Sequence, residues 1–255
     1  MTDHPIGTAL ITGAGKRIGR ALALGLAEHG FDIGVHYNTS ADDAEEVAKQ
    51  IQSGGRKAFA LGADLFDESA VSALMDNARD ALGPINLLIN SASTFENDDL
   101  EDFTTESWNT HFNVNLFAPI KLAQAFAAQI DKKANNLVIN ITDQRTRKLT
   151  PQFFTYTLSK SALQSATITM AQALGPKAIR VNAIAPGPTL KNWRQSDDDW
   201  AAQQAATVLG VGASPEDILA GVMYLHSAHS VTGETITIDG GQNLAWQTPD
   251  VMVKE

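Results

Sequence analysis

Apolar positions along the chain fall into two alternating periods. Short aliphatic and β-branched runs at Thr8 to Ile11, Phe31 to Val35, Lys57 to Leu61, Asn86 to Asn90, Asn136 to Ile141, Ile179 to Ile184 and Thr235 to Ile238 predict strands. Between them apolar residues recur at three- and four-residue spacing, the signature of amphipathic helices. Ile18, Leu22 and Leu26 with Ala21 and Gly25 form one stripe, Ala44, Val47, Ala48 and Ile51 the next, and Val71, Leu74, Met75 and Ala78 line a helix from Glu68 to Leu82. A longer helix is expected from about Glu106 to Ile130, with Pro119 kinking it or leaving a gap in its hydrogen bonding. Ala162, Leu163, Ala166, Ile168, Met170, Ala171 and Leu174 mark another over Thr157 to Leu174. Ser214-Pro215-Glu216-Asp217 starts the last, with a capping serine and proline at the first helical position. Ser40, with Asp43 three residues on, is expected to cap the second helix.

Seven strands alternating with six helices imply an α/β fold, a parallel doubly wound sheet of Rossmann type with helices on both faces. No composition shift or repeat divides the chain, so one domain is expected over residues 1–255, with a substrate loop at about 189–212. Ligands of such sheets bind beyond the carboxyl ends of the strands. The loops there carry Gly13 to Gly19, His36 to Ser40, Asp64-Leu65, Asn90 to Phe95, Thr142-Asp143 and Pro186-Gly187-Pro188. One rim therefore collects most of the candidate chemistry.

Composition narrows what that rim can do. With 255 residues and 44% hydrophobic content the chain can bury a substantial core. Its net charge of −10 and the lack of a basic cluster beyond Arg145, Arg147 and Lys148 argue against nucleic acid, so an anionic cofactor must be gripped locally. The chain has no cysteine, which excludes disulfides, thiolate metal sites and a cysteine nucleophile. The six histidines are scattered at 4, 29, 36, 111, 226 and 229 and suggest no metal site. The amino terminus lacks a basic segment followed by an apolar run, and no membrane-length apolar stretch occurs, so a cytoplasmic protein is expected.

The first strand stops at Thr12-Gly13-Ala14-Gly15-Lys16-Arg17-Ile18-Gly19 and a helix follows at once. Such a turn lets the backbone approach a pyrophosphate and aims helix N-terminal N–H groups at it. After the second strand, His36-Tyr37-Asn38-Thr39-Ser40 contains no carboxylate to take an adenosine ribose. With Lys16, Arg17, Thr39 and Ser40 able to converge there, NADP(H) is preferred over NAD. Tyr156 and Lys160 stand four residues apart, on one face of a helix. A cation beside a phenol favours the phenolate, so the Tyr156 pKa is expected to fall from about 10 toward neutrality.

These residues, with Asp64, Asn90-Ser91-Ala92, Asn115, Pro186-Gly187 and the terminal Ile238-Asp239-Gly240-Gly241, stand in the order seen in short-chain dehydrogenases/reductases. The resemblance covers about residues 6 to 245. It implies that Tyr156 donates a proton, that Lys160 lowers its pKa and holds the nicotinamide ribose, and that Asn115 supports a proton relay. The implied cofactor contacts are Gly13, Lys16, Arg17, Ile18, Gly19, Tyr37, Asn38, Thr39, Ser40, Asp64, Leu65, Ser91, Ala92, Ser93, Thr142, Tyr156, Lys160, Pro186 and Gly187. A homotetramer is usual in the family.

Departures from the common pattern sharpen the resemblance. Arg17 replaces a glycine, Ser91 an asparagine, Ser93 a glycine, and Asp143 the usual catalytic serine. Arg17, Ser93, Phe95 and Asp143 together resemble pteridine reductases and the related dihydropteridine or dihydromonapterin reductases, although Thr39 stands where those often carry an arginine. An ionised Asp143 would repel the alkoxide formed from a ketone, whereas reduction of a pterin C=N bond demands a proton at nitrogen. Phe95 could stack a flat pterin and Arg17 could reach its oxygens or the cofactor phosphates. On this reading Arg17, Phe95, Asp143 and Tyr156 meet the substrate. Three plainer readings stay open: Asp143 as a cap or ion-pair partner of Arg145 or Arg147, with the enzyme a carbonyl or 3-oxoacyl reductase or alcohol dehydrogenase; Phe95 as ordinary lining; and a non-catalytic NADP(H) sensor.

Overall fold

A computed structural model describes residues 5–248; His4 and the amino-terminal stretch before it lie outside them. Strands β1 (Gly7–Ile11), β2 (Phe31–Tyr37), β3 (Ala58–Gly62), β4 (Leu87–Asn90), β5 (Asn136–Ile141), β6 (Ile179–Pro186) and β7 (Thr235–Ile238) form one sheet in the order β3-β2-β1-β4-β5-β6-β7. Every pairing is parallel, with Ile11 beside Val35 on one side and Ile89 on the other. The order reverses at β1 and β4, which opens a crevice at their carboxyl ends.

Successive strand side chains point to opposite faces, so the sheet divides the core in two. Ala9 and Ile11 pack with α1 (Arg17–Glu28), α2 (Ala41–Ser53) and α8 (Pro215–Ser227). Leu10 packs on the other face with α3 (Glu68–Leu82), α5 (Ala118–Gln129) and α6 (Phe154–Leu174). Phe126 is fully buried there, and truncating such a ring to alanine costs about 3–5 kcal/mol.

The expected helix over 106–130 is broken. It comprises α4 (Thr105–Phe112), a π-helical turn (Asn113–Phe117) and α5, with Pro119 in the first turn of α5. Proline has no N–H to offer the Asn115 carbonyl four residues back, and the widened turn absorbs the defect. The substrate loop also holds an unforeseen helix, α7 (Asp197–Ala205), making the expected total of six too few. Ser196 and Asp199 form a capping box at its start, so the acidic run favours a helix N-terminus and is more than a solvated face. Ser40 makes no side-chain capping bond to α2, in contrast to the expectation, whereas Ser214 caps α8 as foreseen. No helix among the described residues is long and apolar enough to cross a membrane.

Candidate active site

A cleft of about 770 Å³ lies along the carboxyl ends of the strands. At one end, Gly13 adopts φ 65° and its N–H donates to His36 Nδ1 at 3.0 Å. His36 Nε2 lies 3.0 Å from the Ala63 carbonyl, which it can reach only as a donor. Burial pushes this histidine down to about 4, so it is neutral and its tautomer is set by its two partners. Thr12 Oγ1 accepts from the N–H groups of Ser91 and Ala92, each at 3.0 Å, and ties the turn to the exit of β4. A Cβ at Gly19 would stand 2.2 Å from the Gly13 carbonyl, so only glycine lets α1 approach this closely.

The rest of this end is polar. Lys16, at the N-cap of α1, makes no side-chain capping bond and instead pairs with Asp43 at 3.0 Å. Arg17 occupies the left-handed region at φ 52°, a conformation that favours the glycine common in resembling chains. Its guanidinium donates to the carbonyls of Leu190 at 2.9 Å and Lys191 at 3.0 Å. Ile18, Tyr37, Asn38, Thr39, Ser40, Asp64, Leu65, Thr142, Pro186 and Gly187 all line the same cleft.

At the other end, Tyr156 donates its hydroxyl proton to Asp143 Oδ2 at 2.8 Å. Asp143 Oδ1 accepts the Arg145 N–H at 2.8 Å, so the carboxylate also caps the short turn Gln144–Thr146. It makes no ion pair with Arg145 or Arg147 among the described residues. Desolvation raises the Asp143 carboxyl above its usual range. The expected fall in the Tyr156 pKa does not occur: burial, then the Asp143 charge and hydrogen bond, push the phenol well above 10. Lys160 cannot offset this, because its Nζ lies 5.9 Å from the ring centroid and donates to the Ile141 carbonyl at 2.8 Å. Desolvation lowers Lys160 itself to about 8.

Asn115, fully buried in the π-helical turn, clamps the loop after β4. Its Oδ1 accepts from Ser93 Oγ at 3.1 Å and the Thr94 N–H at 2.9 Å, and its Nδ2 donates to the Thr94 carbonyl and Ser159 Oγ. That loop carries Phe95, whose ring stacks on Phe153 at 4.3 Å and meets Tyr156 edge-on at 4.7 Å. Phe153 sits at φ 54°, an unusual conformation for a bulky residue, with Arg145 4.7 Å over its ring.

Several residues of the site carried no sequence signal. His111, buried in α4, accepts the Glu96 N–H at Nε2 and reaches Thr155 Oγ1 at 2.7 Å through Nδ1. Thr155 in turn donates its backbone N–H and its hydroxyl to the buried Asp98. The scattered histidines suggested no metal site, yet His36 and His111 brace the two ends of the cleft. His36 stood in a strand-exit loop that the sequence marked, whereas nothing marked His111.

The arrangement matches a known family. The model for short chain dehydrogenase covers residues 7–202. The chain belongs to the short-chain dehydrogenase family. Within that family it is similar to FolM Alternative dihydrofolate reductase 1 from Brucella canis, solved with NADP, at 44% identity over 96% of this chain and 97% of that one, TM-score 0.92. It is also similar to the angucycline C-6 ketoreductase LanV, solved with NADP, at 30% identity over 95% and 97% of the two chains, TM-score 0.87. The 3-oxoacyl-[acyl-carrier-protein] reductase FabG of Staphylococcus aureus is 29% identical over 92% of this chain and 97% of its own.

Proposed function

We propose that this short-chain dehydrogenase is an NADPH-dependent reductase of a C=N bond in a pteridine-like substrate, a dihydropterin or dihydrofolate. The observation that carries the reading is the Asp143 carboxylate on the Tyr156 hydroxyl, at the place where the family usually has a serine. The similarity to the Brucella reductase and its NADP complex supports both substrate class and cofactor.

The residues fit a phosphorylated dinucleotide. Gly13 and Gly19 let the turn close on Ala92 and on α1 where a side chain would clash, which leaves the cleft beside the α1 N-terminus clear, and Lys16, Thr39 and Ser40 supply a cation and hydroxyls with no carboxylate after β2 before Asp42. The reduced nicotinamide supplies the hydride when bound. The protein's part is the proton. A raised carboxyl can hold one, and with Asp143 protonated it donates to the phenol oxygen while the Tyr156 O–H turns to a substrate ring nitrogen. As the phenol gives up its proton, the carboxyl replaces it. Negative charge therefore settles on Asp143, near the Lys160 and Arg145 charges, and no tyrosinate forms. Phe95, backed by Phe153, lines the cleft and gives the ring an aromatic contact.

NADPH absorbance followed with dihydrobiopterin or dihydromonapterin tests this, using wild type and Asp143→Ser. Consumption by wild type and strong slowing in the variant are expected. The ketoreductase and FabG likenesses favour a carbonyl substrate instead, and turnover of ketones without dihydropterin turnover would reject the pterin reading. Exposed Phe103, Trp108, Phe117, Ile120, Leu158 and Ile168, on or beside α4, α5 and α6, support a homotetramer, which sedimentation velocity would test.

A further inference from the structure

The loop between β6 and α8 is braced within itself. The Asn192 N–H donates to Gln195 Oε1, Gln195 Nε2 donates to Gln203 Oε1 at 2.8 Å, and Lys191 pairs with Asp197. Among the described residues, segment 190–203 makes hydrogen bonds across the cleft mouth at two places. At the first, Arg17 reaches over to the carbonyls of Leu190 and Lys191. At the second, Arg194 of the loop donates through Nη1 to the Phe95 carbonyl at 3.2 Å and through Nη2 to Glu96. Its guanidinium also lies 4.8 Å over the Trp193 ring. Glu96 is held from below, because its N–H donates to the buried His111.

We propose that Arg194 is a positioning residue that fastens the substrate loop to the loop carrying Phe95, so that closure of the cleft and placement of the substrate-contacting ring are one event. An isolated ion pair of this exposure contributes little. Arg194 differs because one planar fork engages a carboxylate and the carbonyl of the stacking residue together. With Arg17 holding the same segment from the glycine-rich turn, the loop spans the cofactor and substrate ends of the cleft. Loss of Arg194 frees only the substrate end. The role in substrate capture rests on the pterin reading, whereas the tie between the loops does not.

The test uses the full chain as wild type, Arg194→Gln, Arg194→Glu and the exchanged pair Arg194→Glu/Glu96→Arg. Chymotryptic cleavage after the exposed Trp193, beside Arg194, is timed by mass spectrometry with NADPH present and scaled to cleavage of the urea-unfolded chain, alongside the NADPH Kd, the melting temperature, and KM and kcat for dihydrobiopterin. Arg194→Gln should speed cleavage and raise KM roughly tenfold, the scale of one charged hydrogen bond, with kcat and the NADPH Kd within about twofold. Arg194→Glu should do more. The exchanged pair should recover part of the protection, since the Phe95 carbonyl still lacks its donor. Unchanged cleavage in Arg194→Gln, no recovery in the exchanged pair, or a loss of NADPH affinity equal to the rise in KM would overturn the proposal. If wild type leaves dihydrobiopterin untouched, the pterin reading fails and cleavage alone decides the tie.

Discussion

The two ends of the cleft are made of different material. The dinucleotide end is built on backbone and small residues, with Gly13 and Gly19 packed against neighbours, Thr12 tying two strand exits, one neutral histidine behind them, and Lys16, Thr39 and Ser40 along its polar edge. The substrate end is charged and aromatic side chains held under cost: a carboxyl in a desolvated site, a phenol that burial pushes well above 10, and Phe153 in a left-handed backbone. A cofactor common to many enzymes can be met largely by backbone geometry, with a few polar side chains at the edge. Choosing and protonating a substrate requires polar groups that the fold stabilises poorly.

Asp143→Ser should sharpen this contrast most. Loss of the proton source predicts a fall of about 10²- to 10⁴-fold in kcat on dihydropterin. The same change should raise the melting temperature at neutral pH, because a carboxyl raised in the fold withdraws stability above its unfolded pKa; the gain should vanish in acid. Wild-type kcat should fall as pH rises and Asp143 loses its proton. A lower melting temperature in Asp143→Ser at pH 7 would mean that its capping bond to Arg145 outweighs its desolvation.

At the dinucleotide end His36 should give the next largest effect. Its pKa of about 4 lies below its ordinary 6.5, so the unfolded chain binds the proton first. Its share of stability, roughly 3 kcal/mol, is complete above pH 6.5 and is lost as pH falls toward 4. His36→Gln, which can still accept from Gly13 and donate to Ala63, should flatten that part of a pH-dependent denaturation curve. An unaltered curve would show that other buried histidines carry it.

Gly19→Ala comes third, at about 1–3 kcal/mol for forcing a Cβ against the Gly13 carbonyl, with weakened NADPH binding. Fluorescence titration and urea denaturation would measure both. Phe153→Gly should change stability least. Relief of left-handed strain, about 1–2 kcal/mol, offsets loss of ring stacking, about 0.5–1.5 kcal/mol, while KM for the pterin rises. If KM stayed put, Phe153 would be scaffold and the aromatic wall would reduce to Phe95.

Strand positions, the helix from Glu68 to Leu82, the glycine-rich turn and the Tyr156–Lys160 spacing were legible in the sequence, because each is written in local periodicity or in residues close along the chain. The π-helical turn was half legible: Pro119 announced a defect, but which geometry would absorb it depended on Asn115 finding Thr94 and Ser159. Helix α7 was missed since nothing apolar repeats along it, and none of its residues is buried.

The sequence by itself determined the sheet, the family and the inventory of the reacting groups. Tertiary structure alone decided what those groups are. Lys160, four residues from Tyr156, suggested an acidic phenol; the fold buried the phenol, turned the ammonium to a backbone carbonyl and set Asp143 on the hydroxyl, which together reversed the shift. It likewise set Arg194 against Glu96, 98 residues away in sequence. A pKa depends on distance and solvent access in three dimensions, and neither is encoded in spacing along the chain.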